Sequence, residues 1–449
     1  MAVWLVSLLL AGPSEVAGSG YGVDERSASA AGTAFAGATT GTDDASYLTY
    51  NPAALASQEG YQLLSDGSLV VPSLDFHRGA ASTLNFGPPV GSVPISGRSR
   101  ADGAVPALIP ALYGLWPVTP DLKVGLGVTS PFGLTTEYPS DWVGRYHGVR
   151  SELMTINVNP VVAYRVTSWL GLGAGFQAQY IKATLTNAVD VGSIAFAATN
   201  GQLGTPAGND GFTKLRADDW GVGFTLGAMV EPWESTRVGV AYRSHVSHRL
   251  TGTADCTLDP VGVALNRLTT VRGQGLLADT RASAELETPE TVSLGVRHRL
   301  SPRWTLMGDA AWTRWSRFDR LVIRFANGDQ PDDVTRMDWK DTWFFALGTT
   351  YQLTERWQLR AGAHYDQTPV PDRTRAPRIP DADRFRLAVG ATARPYSWLT
   401  IDLSYAHVFL ESAPVGLTTS GEGNQFRGNL SGTYSNRIDI AAIQFVVRF

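Results

Sequence analysis

The chain has 449 residues, of which 43% are hydrophobic, with a mean hydropathy of −0.07 and a formal net charge of −4. This mild charge argues against a nucleic-acid partner, and no apolar run reaches the roughly 20 residues that a membrane-spanning helix needs. Cys256 is the single cysteine, which excludes an intramolecular disulfide.

The first residues resemble an export signal. Residues 2–11 form an apolar run, and the residues at 16–18 offer a cleavage site. We therefore expect residues 1–17 to be a signal peptide. No Lys or Arg precedes the apolar run, so a buried N-terminal strand is the alternative interpretation.

Residues 18–59 are rich in Gly, Ala, Ser and Thr and show no regular alternation. Such a segment is small enough to pack inside a larger structure without filling it. A solvent-exposed linker is the alternative, but it would leave Tyr47, Leu48 and Tyr50 in water at a cost.

From about Gly60 onward, apolar and polar residues alternate with a period of two, which is typical of β-strands. Phe176 and Leu359 lie on apolar faces, whereas their neighbours Gln177 and Arg360 lie on polar faces. Because the polar faces carry Gln, Arg and His, we expect them to line a wet lumen while the apolar faces contact lipid.

The connections between the predicted strands come in two lengths that alternate along the chain. Six short turns and seven long polar stretches make about fourteen strands, and an even number is typical of bacterial barrels. The short turns lie at 119–121, 167–168, 232–236, 301–303, 354–356 and 395–397, and the long stretches lie near 77–103, 134–151, 183–217, 251–281, 318–338, 367–382 and 411–433.

Five tryptophans follow short turns, namely Trp169, Trp233, Trp304, Trp357 and Trp398. Indole rings collect at the boundary between lipid and water, so this pattern predicts an aromatic girdle on the periplasmic side. The alternative is the general preference of Trp for strands.

The sequence ends in an alternating strand with Phe449 as its last residue. A terminal aromatic residue resembles the recognition signal of the outer-membrane assembly machinery, which we expect to be a partner. We also expect contact with outer-membrane lipid and lipopolysaccharide, a monomeric state, and a location in the outer membrane of a Gram-negative bacterium.

Short segments along the chain share their order with a known protein family. They lie at 31–37, 43–44, 51–53, 130–137, 241–244, 312–316, 339–341, 347–351, 366–371 and 379–385. In this order they resemble the FadL family of outer-membrane long-chain fatty-acid transporters. The segment Ile379-Pro380-Asp381-Ala382-Asp383-Arg384-Phe385 is the most specific of them.

The resemblance implies an all-β fold, a single antiparallel transmembrane β-barrel of about fourteen strands over residues 60–449. Residues 18–59 would then be an N-terminal hatch that plugs the barrel. The hatch residues that the resemblance identifies are Phe35, Asp43, Asp44, Asn51, Pro52 and Ala53. The implied function is passive uptake of long-chain fatty acids or related hydrophobic compounds.

The family resemblance also implies a lateral exit at a kink in the third strand, where Ser130, Pro131, Phe132 and Gly133 lie. Pro131 lacks a backbone N–H and so removes one hydrogen bond between strands, and Gly133 permits the backbone angles of a bulge. The alternative is that the strand ends at Pro131.

The ligand-binding residues of the family match this chain poorly. Asn187 stands where the family has a basic residue after the fifth strand, and the nearest basic candidates are Lys182 and Arg336. Aromatic hydrocarbons, which other family members take up, are therefore an alternative ligand class.

No catalytic motif stands out, and we expect a protein that is not an enzyme and has no cofactor. His245 and His248 are three residues apart, so on a strand they face opposite sides and cannot share a metal ion. The acidic pairs Asp43-Asp44, Asp218-Asp219 and Asp381/Asp383 are candidates for Ca²⁺, although such pairs are usually solvated. A general diffusion porin and a barrel lipase or protease are the rival functions.

Overall fold

The computed structural model describes residues 19–41, 43–271 and 275–449. The predicted signal peptide at 1–17 lies outside the described residues. Twenty-one strand segments form one antiparallel sheet, and the last segment pairs with the first from Gln62↔Arg448 to Ser82↔Asn429. The sheet is therefore a closed barrel.

Seven wall strands are single segments and seven are interrupted pairs of segments, which makes fourteen and confirms the predicted number. The single segments are β1 (Gln62–Ser82), β6 (Arg150–Thr167), β7 (Leu170–Asp190), β8 (Asp210–Trp233), β17 (Trp357–Asp366), β18 (Arg384–Tyr396) and β21 (Asn429–Arg448). The interrupted pairs are β2 (Ala101–Asp102) with β3 (Ala107–Pro117), β4 (Leu122–Thr129) with β5 (Gly133–Glu137), β9 (Thr236–Arg243) with β10 (Val246–Thr257), β11 (Thr280–Thr288) with β12 (Thr291–Arg299), β13 (Trp304–Thr313) with β14 (Arg320–Phe325), β15 (Asp333–Arg336) with β16 (Thr342–Gln352), and β19 (Leu399–Leu410) with β20 (Ala413–Leu417).

The period-two alternation has the predicted orientation. Phe176 is 51% exposed on the outer face of β7, whereas Gln177 is fully buried in the lumen. Leu359 and Arg360 on β17 repeat this arrangement. The apolar residues point outward because lipid replaces the protein core as their environment.

The two lengths of connection lie at opposite ends of the barrel, as predicted from the sequence. The five tryptophans that follow short turns are all at least 45% exposed on the outer surface. They form a ring at the end with the short turns, which is the predicted aromatic girdle.

The helices of the described residues are short and form no part of the barrel wall. They are Ala28–Ala31, Val191–Ala198 and Pro260–Thr269, with 3₁₀ turns at Ala45–Thr49, Pro52–Ser57 and Trp315–Arg317. Within the described residues no helix is both long and apolar enough to cross a membrane.

Residues 19–41 and 43–58 lie inside the barrel and are almost wholly buried. Wall glycines make room for them, because a side chain at Gly173, Gly227 or Gly362 would collide with the backbone or side chains of this segment. Asn51 caps the 3₁₀ turn Pro52–Ser57 and donates to Thr39 O at 2.8 Å. The small residues that set the segment apart in the sequence thus meet small residues in the wall.

Candidate ligand-binding cavities and wall opening

A cavity of about 580 Å³, here called the outer cavity, lies in the half of the barrel with the long loops. Five neighbouring wall segments supply its apolar sides with the inward residues Leu185, Leu215, Leu250, Leu286 and Ile323. The period-two pattern places every second residue of these segments in the lumen. The cavity therefore presents an apolar surface to a ligand that enters from outside.

Most cations on the outer cavity are neutralised by acidic neighbours. Arg336 Nε donates to Asp338 Oδ1 at 2.6 Å, and Arg373 binds the second oxygen of the same carboxylate at 3.0 Å. Arg427 donates to Asp333 Oδ2 at 2.6 Å. The predicted candidate Arg336 thus lines the cavity, but an ion pair already uses its charge.

Two arginines among the described cavity residues form no ion pair, the exposed Arg216 and the partly buried Arg378. Nη1 of Arg378 donates to Ser151 Oγ at 3.0 Å, and its Nη2 donates to Asn187 Oδ1 at 3.0 Å. Burial and the nearby charge of Arg427 lower the pKa of Arg378 to about 9. The guanidinium is thus a cation that lacks a counter-ion.

Asn187 and Lys182 differ in where β7 places them. Asn187 points into the outer cavity and contacts Arg378. Lys182 follows the fully buried Ile181 and is exposed on the outer face, where it lies opposite Asp218. Lys182 is therefore not part of the cavity lining, contrary to its selection as a ligand-binding candidate.

Sequence reasoning did not identify Arg378. It precedes the most specific family segment by one residue, in the long connection between β17 and β18. A lone arginine in a polar loop is usually solvated, and only the folding of this loop into the lumen brings it to the cavity.

Five aromatic rings form a layer beneath the outer cavity. They belong to Tyr21, Phe132, Trp315, Phe318 and Trp339, and the ring centroids of neighbouring members lie 4.7–6.3 Å apart. The indole N–H groups of Trp315 and Trp339 are buried without an acceptor among the described residues. We call this set the aromatic layer.

A second cavity of about 160 Å³, here called the inner cavity, lies on the other side of the aromatic layer. Phe132 and Trp315 line it, and so do Pro131 of the kink and the charged residues Arg26 and Arg243. The two cavities are thus separated by rings that contact one another rather than by a backbone wall.

The third wall strand is broken where the sequence predicts a kink. β4 pairs with β3 and with β6, but β5 forms a ladder with β6 alone. The ladder between β3 and β4 stops at Leu112↔Val128, and farther along this seam Glu137 N donates to Gly103 O at 3.0 Å. The wall therefore has an interrupted seam at Ser130–Gly133.

The first residues of the hatch occupy this break from inside. Val23 N donates to Pro131 O at 2.9 Å, and Gly133 N donates to Tyr21 O at 2.9 Å. Phe132 points inward into the aromatic layer, where its centroid is 5.8 Å from that of Tyr21. Phe132 therefore lies on the lumen side of the break.

The rest of the hatch is bound to the wall by charged groups. Asp43 accepts from Arg297 at 3.1 Å and from Arg360 at 3.2 Å. Arg360 also lies 3.5 Å from Asp402, and both side chains of that pair are buried. Asp44 caps the turn at Ala45–Thr49.

The candidate Ca²⁺ pairs are engaged in other contacts. Asp381 binds Gly20 N and Thr368, and Asp383 binds Tyr365 and Thr368 N. The described residues contain no group of three or more His, Cys, Asp and Glu side chains that could hold a metal ion.

Comparison with known proteins identifies the family. The model described as "Outer membrane protein transport protein (OMPP1/FadL/TodX)" matches residues 9–449. A putative outer membrane protein of Neisseria meningitidis serogroup B is 30% identical and covers 97% of this chain and 96% of its own length. The long-chain fatty acid transport protein of Escherichia coli O6:H1 is 29% identical over 87% of each chain.

Solved structures share the fold. A Pseudomonas aeruginosa FadL homologue has a TM-score of 0.86 at 24% identity, over 96% of this chain and 100% of its own. The Pseudomonas putida toluene transporter TodX has a TM-score of 0.68 at 18% identity, over 97% and 99%. The chain belongs to the FadL/TodX family of outer membrane transport proteins, and it is an outer-membrane transporter of hydrophobic compounds.

Proposed function

We propose that the protein takes up long-chain fatty acids, which bind with their carboxylate on Arg378 and leave sideways through the seam at Ser130–Gly133. The ligand class rests on one observation, the cation of Arg378 without a counter-ion in an apolar cavity. A charge-assisted hydrogen bond to a carboxylate is among the strongest polar contacts in proteins.

The walls of the outer cavity suit the acyl chain of such a ligand. Each methylene group that leaves water contributes about 0.8 kcal/mol, so the leucines and isoleucine of the cavity supply most of the affinity. The guanidinium then orients the molecule, because the carboxylate must reach Arg378 beside Ser151 and Asn187.

The seam gives the acyl chain a route that avoids water. Backbone groups that face lipid without partners cost several kcal/mol each, so a fully paired wall resists opening. At the kink the wall already lacks the bond of Pro131, and Tyr21 and Val23 bind the adjacent backbone groups from inside. Withdrawal of these residues would leave a short gap next to the inner cavity.

The ligand class is tested by Arg378→Gln. Binding of palmitate to the detergent-solubilised protein should weaken about tenfold to a hundredfold, which corresponds to the loss of one charge-assisted hydrogen bond. Binding of hexadecanol should change less than twofold. Arg373→Gln, which removes an exposed cation of the same loop, is the matched control.

The pH dependence supplies a second readout for the same complex. Burial lowers the pKa of His147, another residue of the outer cavity, to about 3, so this side chain stays neutral during the titration. Palmitate affinity should be flat between pH 6 and 8 and should fall once acid protonates the ligand itself. Equal loss for palmitate and hexadecanol in Arg378→Gln would contradict a carboxylate ligand.

The exit route is tested by Pro131→Val combined with Gly133→Val, which favours regular pairing of the third wall strand. Uptake by intact cells should fall about tenfold, as one or two extra backbone hydrogen bonds must open. Binding to the outer cavity should persist. A wild-type uptake rate in an assembled double variant would exclude exit at this strand.

The chain offers a matched control for the exit experiment. β20 contains the same spacing in Pro414-Val415-Gly416, and it pairs with β21 in regular register. A side chain at Gly416 meets nothing within 4 Å. Pro414→Val with Gly416→Val should therefore leave uptake unchanged.

Aromatic hydrocarbons are the second candidate ligand class, and the aromatic layer favours them. A small aromatic ring would stack on Trp339 or Phe318 at the base of the outer cavity. This class would be favoured if toluene displaced bound palmitate at low concentration. Its affinity should then be the same for wild type and for Arg378→Gln.

A further inference from the structure

Arg243, like Arg378, is a cation of the lumen that forms no ion pair with the described residues. It is the last residue of β9 and lines the inner cavity, next to the break in that wall strand. Its guanidinium lies 5.8 Å from the ring centroid of Phe132. Within the parts of the chain that the structure describes, the side chain of Arg243 forms neither an ion pair nor a hydrogen bond.

The three carboxylates of the inner cavity are each engaged elsewhere. Asp24 lies 3.7 Å from Arg26, and Asp366 lies 4.0 Å from Arg384. Asp309 accepts hydrogen bonds from the backbone N–H groups of Gly37 and Thr39. These pairings leave the charge of Arg243 without a partner of its own.

Other donors around the inner cavity lack acceptors too. Nε of Arg26 is buried without a hydrogen-bond partner among the described residues, and so is the indole N–H of Trp315. A buried donor without an acceptor is unfavourable, because it has lost its hydrogen bonds to water and gained none in exchange. A ligand with two acceptor oxygens would relieve part of this cost.

The volume of the inner cavity restricts the kind of ligand. The inner cavity, at about 160 Å³, is much smaller than the outer cavity of about 580 Å³. It therefore suits a headgroup better than a whole long acyl chain, which would extend either through the aromatic layer or into the seam beside Pro131.

We propose that the inner cavity is a second carboxylate site, in which Arg243 binds the headgroup after it has passed the aromatic layer. This inference rests on the proposed function, because it needs a ligand with an anionic headgroup. Arg378 receives the carboxylate at the outer cavity, and Arg243 receives it at the level of the seam. The carboxylate of the ligand therefore loses its water in two steps and meets a cation at each of them.

The variant Arg243→Gln tests this assignment in the full-length protein. Uptake of palmitate by cells should fall about tenfold, the factor expected for one charge-assisted hydrogen bond, while uptake of hexadecanol should change less than twofold. Binding of palmitate to the solubilised protein should remain as in wild type, because Arg378 is intact. Arg243→Lys should restore part of the palmitate uptake.

Arg237→Gln is the matched control. Arg237 points into the lumen from the same segment β9, but it pairs with Glu231 at 2.6 Å and does not line the inner cavity. Palmitate uptake should remain within twofold of wild type in this variant. An equal effect of Arg237→Gln and Arg243→Gln would overturn the proposal, as would equal losses for palmitate and hexadecanol.

A measurement on the unaltered protein keeps the proposal testable if Arg243→Gln does not assemble. In crystals soaked with 2-bromopalmitate, anomalous scattering should place bromine in both cavities, next to Arg378 and next to Arg243. Bromine in the outer cavity alone would overturn the second site and leave the proposed function intact. Equal losses of palmitate and hexadecanol binding in Arg378→Gln would instead remove the proposed function.

Discussion

Two parts of the hatch lie in the same lumen but are bound to the barrel by different interactions. The hatch body, residues 25–41 and 43–58, is joined to the wall by the ion pairs of Glu25 with Arg386 and of Asp43 with Arg297 and Arg360. The leading segment, residues 19–23, is joined to it by backbone hydrogen bonds at the kink and by the ring contacts of Tyr21.

The difference indicates which part a ligand can displace. Separating opposite charges in a buried site leaves each of them uncompensated, and an apolar ligand offers no replacement. The ring contacts of Tyr21 are apolar, so an acyl chain that enters the aromatic layer replaces them with contacts of the same kind. We therefore expect the leading segment to yield to ligand while the hatch body stays in place.

The largest effect is expected from Arg360→Ala, which breaks the attachment of the hatch body. The substitution leaves Asp402 without its cation and Asp43 with Arg297 alone, at a cost of about 3–5 kcal/mol. Folded and heat-unfolded barrels migrate differently in gel electrophoresis. The temperature at which heating removes the folded band should be clearly lower in this variant than in wild type.

Arg324→Ala is the control for Arg360→Ala. Arg324 pairs with Glu285 in an exposed position, so its loss should cost less than about 1 kcal/mol. Equal effects of the two variants would show that the buried ion pairs do not bind the hatch body more firmly than a surface pair.

A smaller effect on stability is expected from Tyr21→Ala, which weakens the leading segment. Opening of a terminal segment precedes global unfolding, so the loss should stay below about 1 kcal/mol. Release of bound palmitate should instead become about tenfold faster in stopped-flow measurements, because the aromatic layer loses its central ring.

Tyr21→Phe separates the ring from the hydroxyl group. This variant loses only the hydrogen bond to Glu287 O at 3.2 Å and keeps the ring contacts. Its release rate should stay close to that of wild type. If Tyr21→Ala destabilised the barrel as much as Arg360→Ala, the two parts of the hatch would not differ as described.

Some site assignments were within reach of the sequence. Tyr180 and Lys182 share a face of β7, and Tyr180 belongs to the apolar row that the alternation assigns to lipid. The same rule already excludes Lys182 from the lumen. At this residue the alternation is a better guide than the family resemblance, because Lys182 is exposed on the outer face.

Other assignments depend on contacts between distant residues. Arg243 belongs to a segment with a family match and Arg378 directly precedes one, but no spacing shows that a guanidinium lacks a counter-ion. That property depends on which carboxylates approach it after the barrel has closed. The partners of the kink, Tyr21 and Val23, are likewise more than 100 residues away in the sequence.

The sequence by itself determined the fourteen-stranded barrel, the end at which the girdle lies, and the position of the kink. The barrel and the girdle follow from local rules, because side chains alternate along a strand and short turns connect neighbouring strands. The kink was implied by the family resemblance, and Pro131 supports it because it removes a hydrogen bond wherever its strand lies. Tertiary structure alone decided which cations remain unpaired, which rings divide the lumen and what binds the broken strand. Those properties arise because a closed wall forces loops, hatch and strands into one small volume, where each charge finds a partner or remains without one.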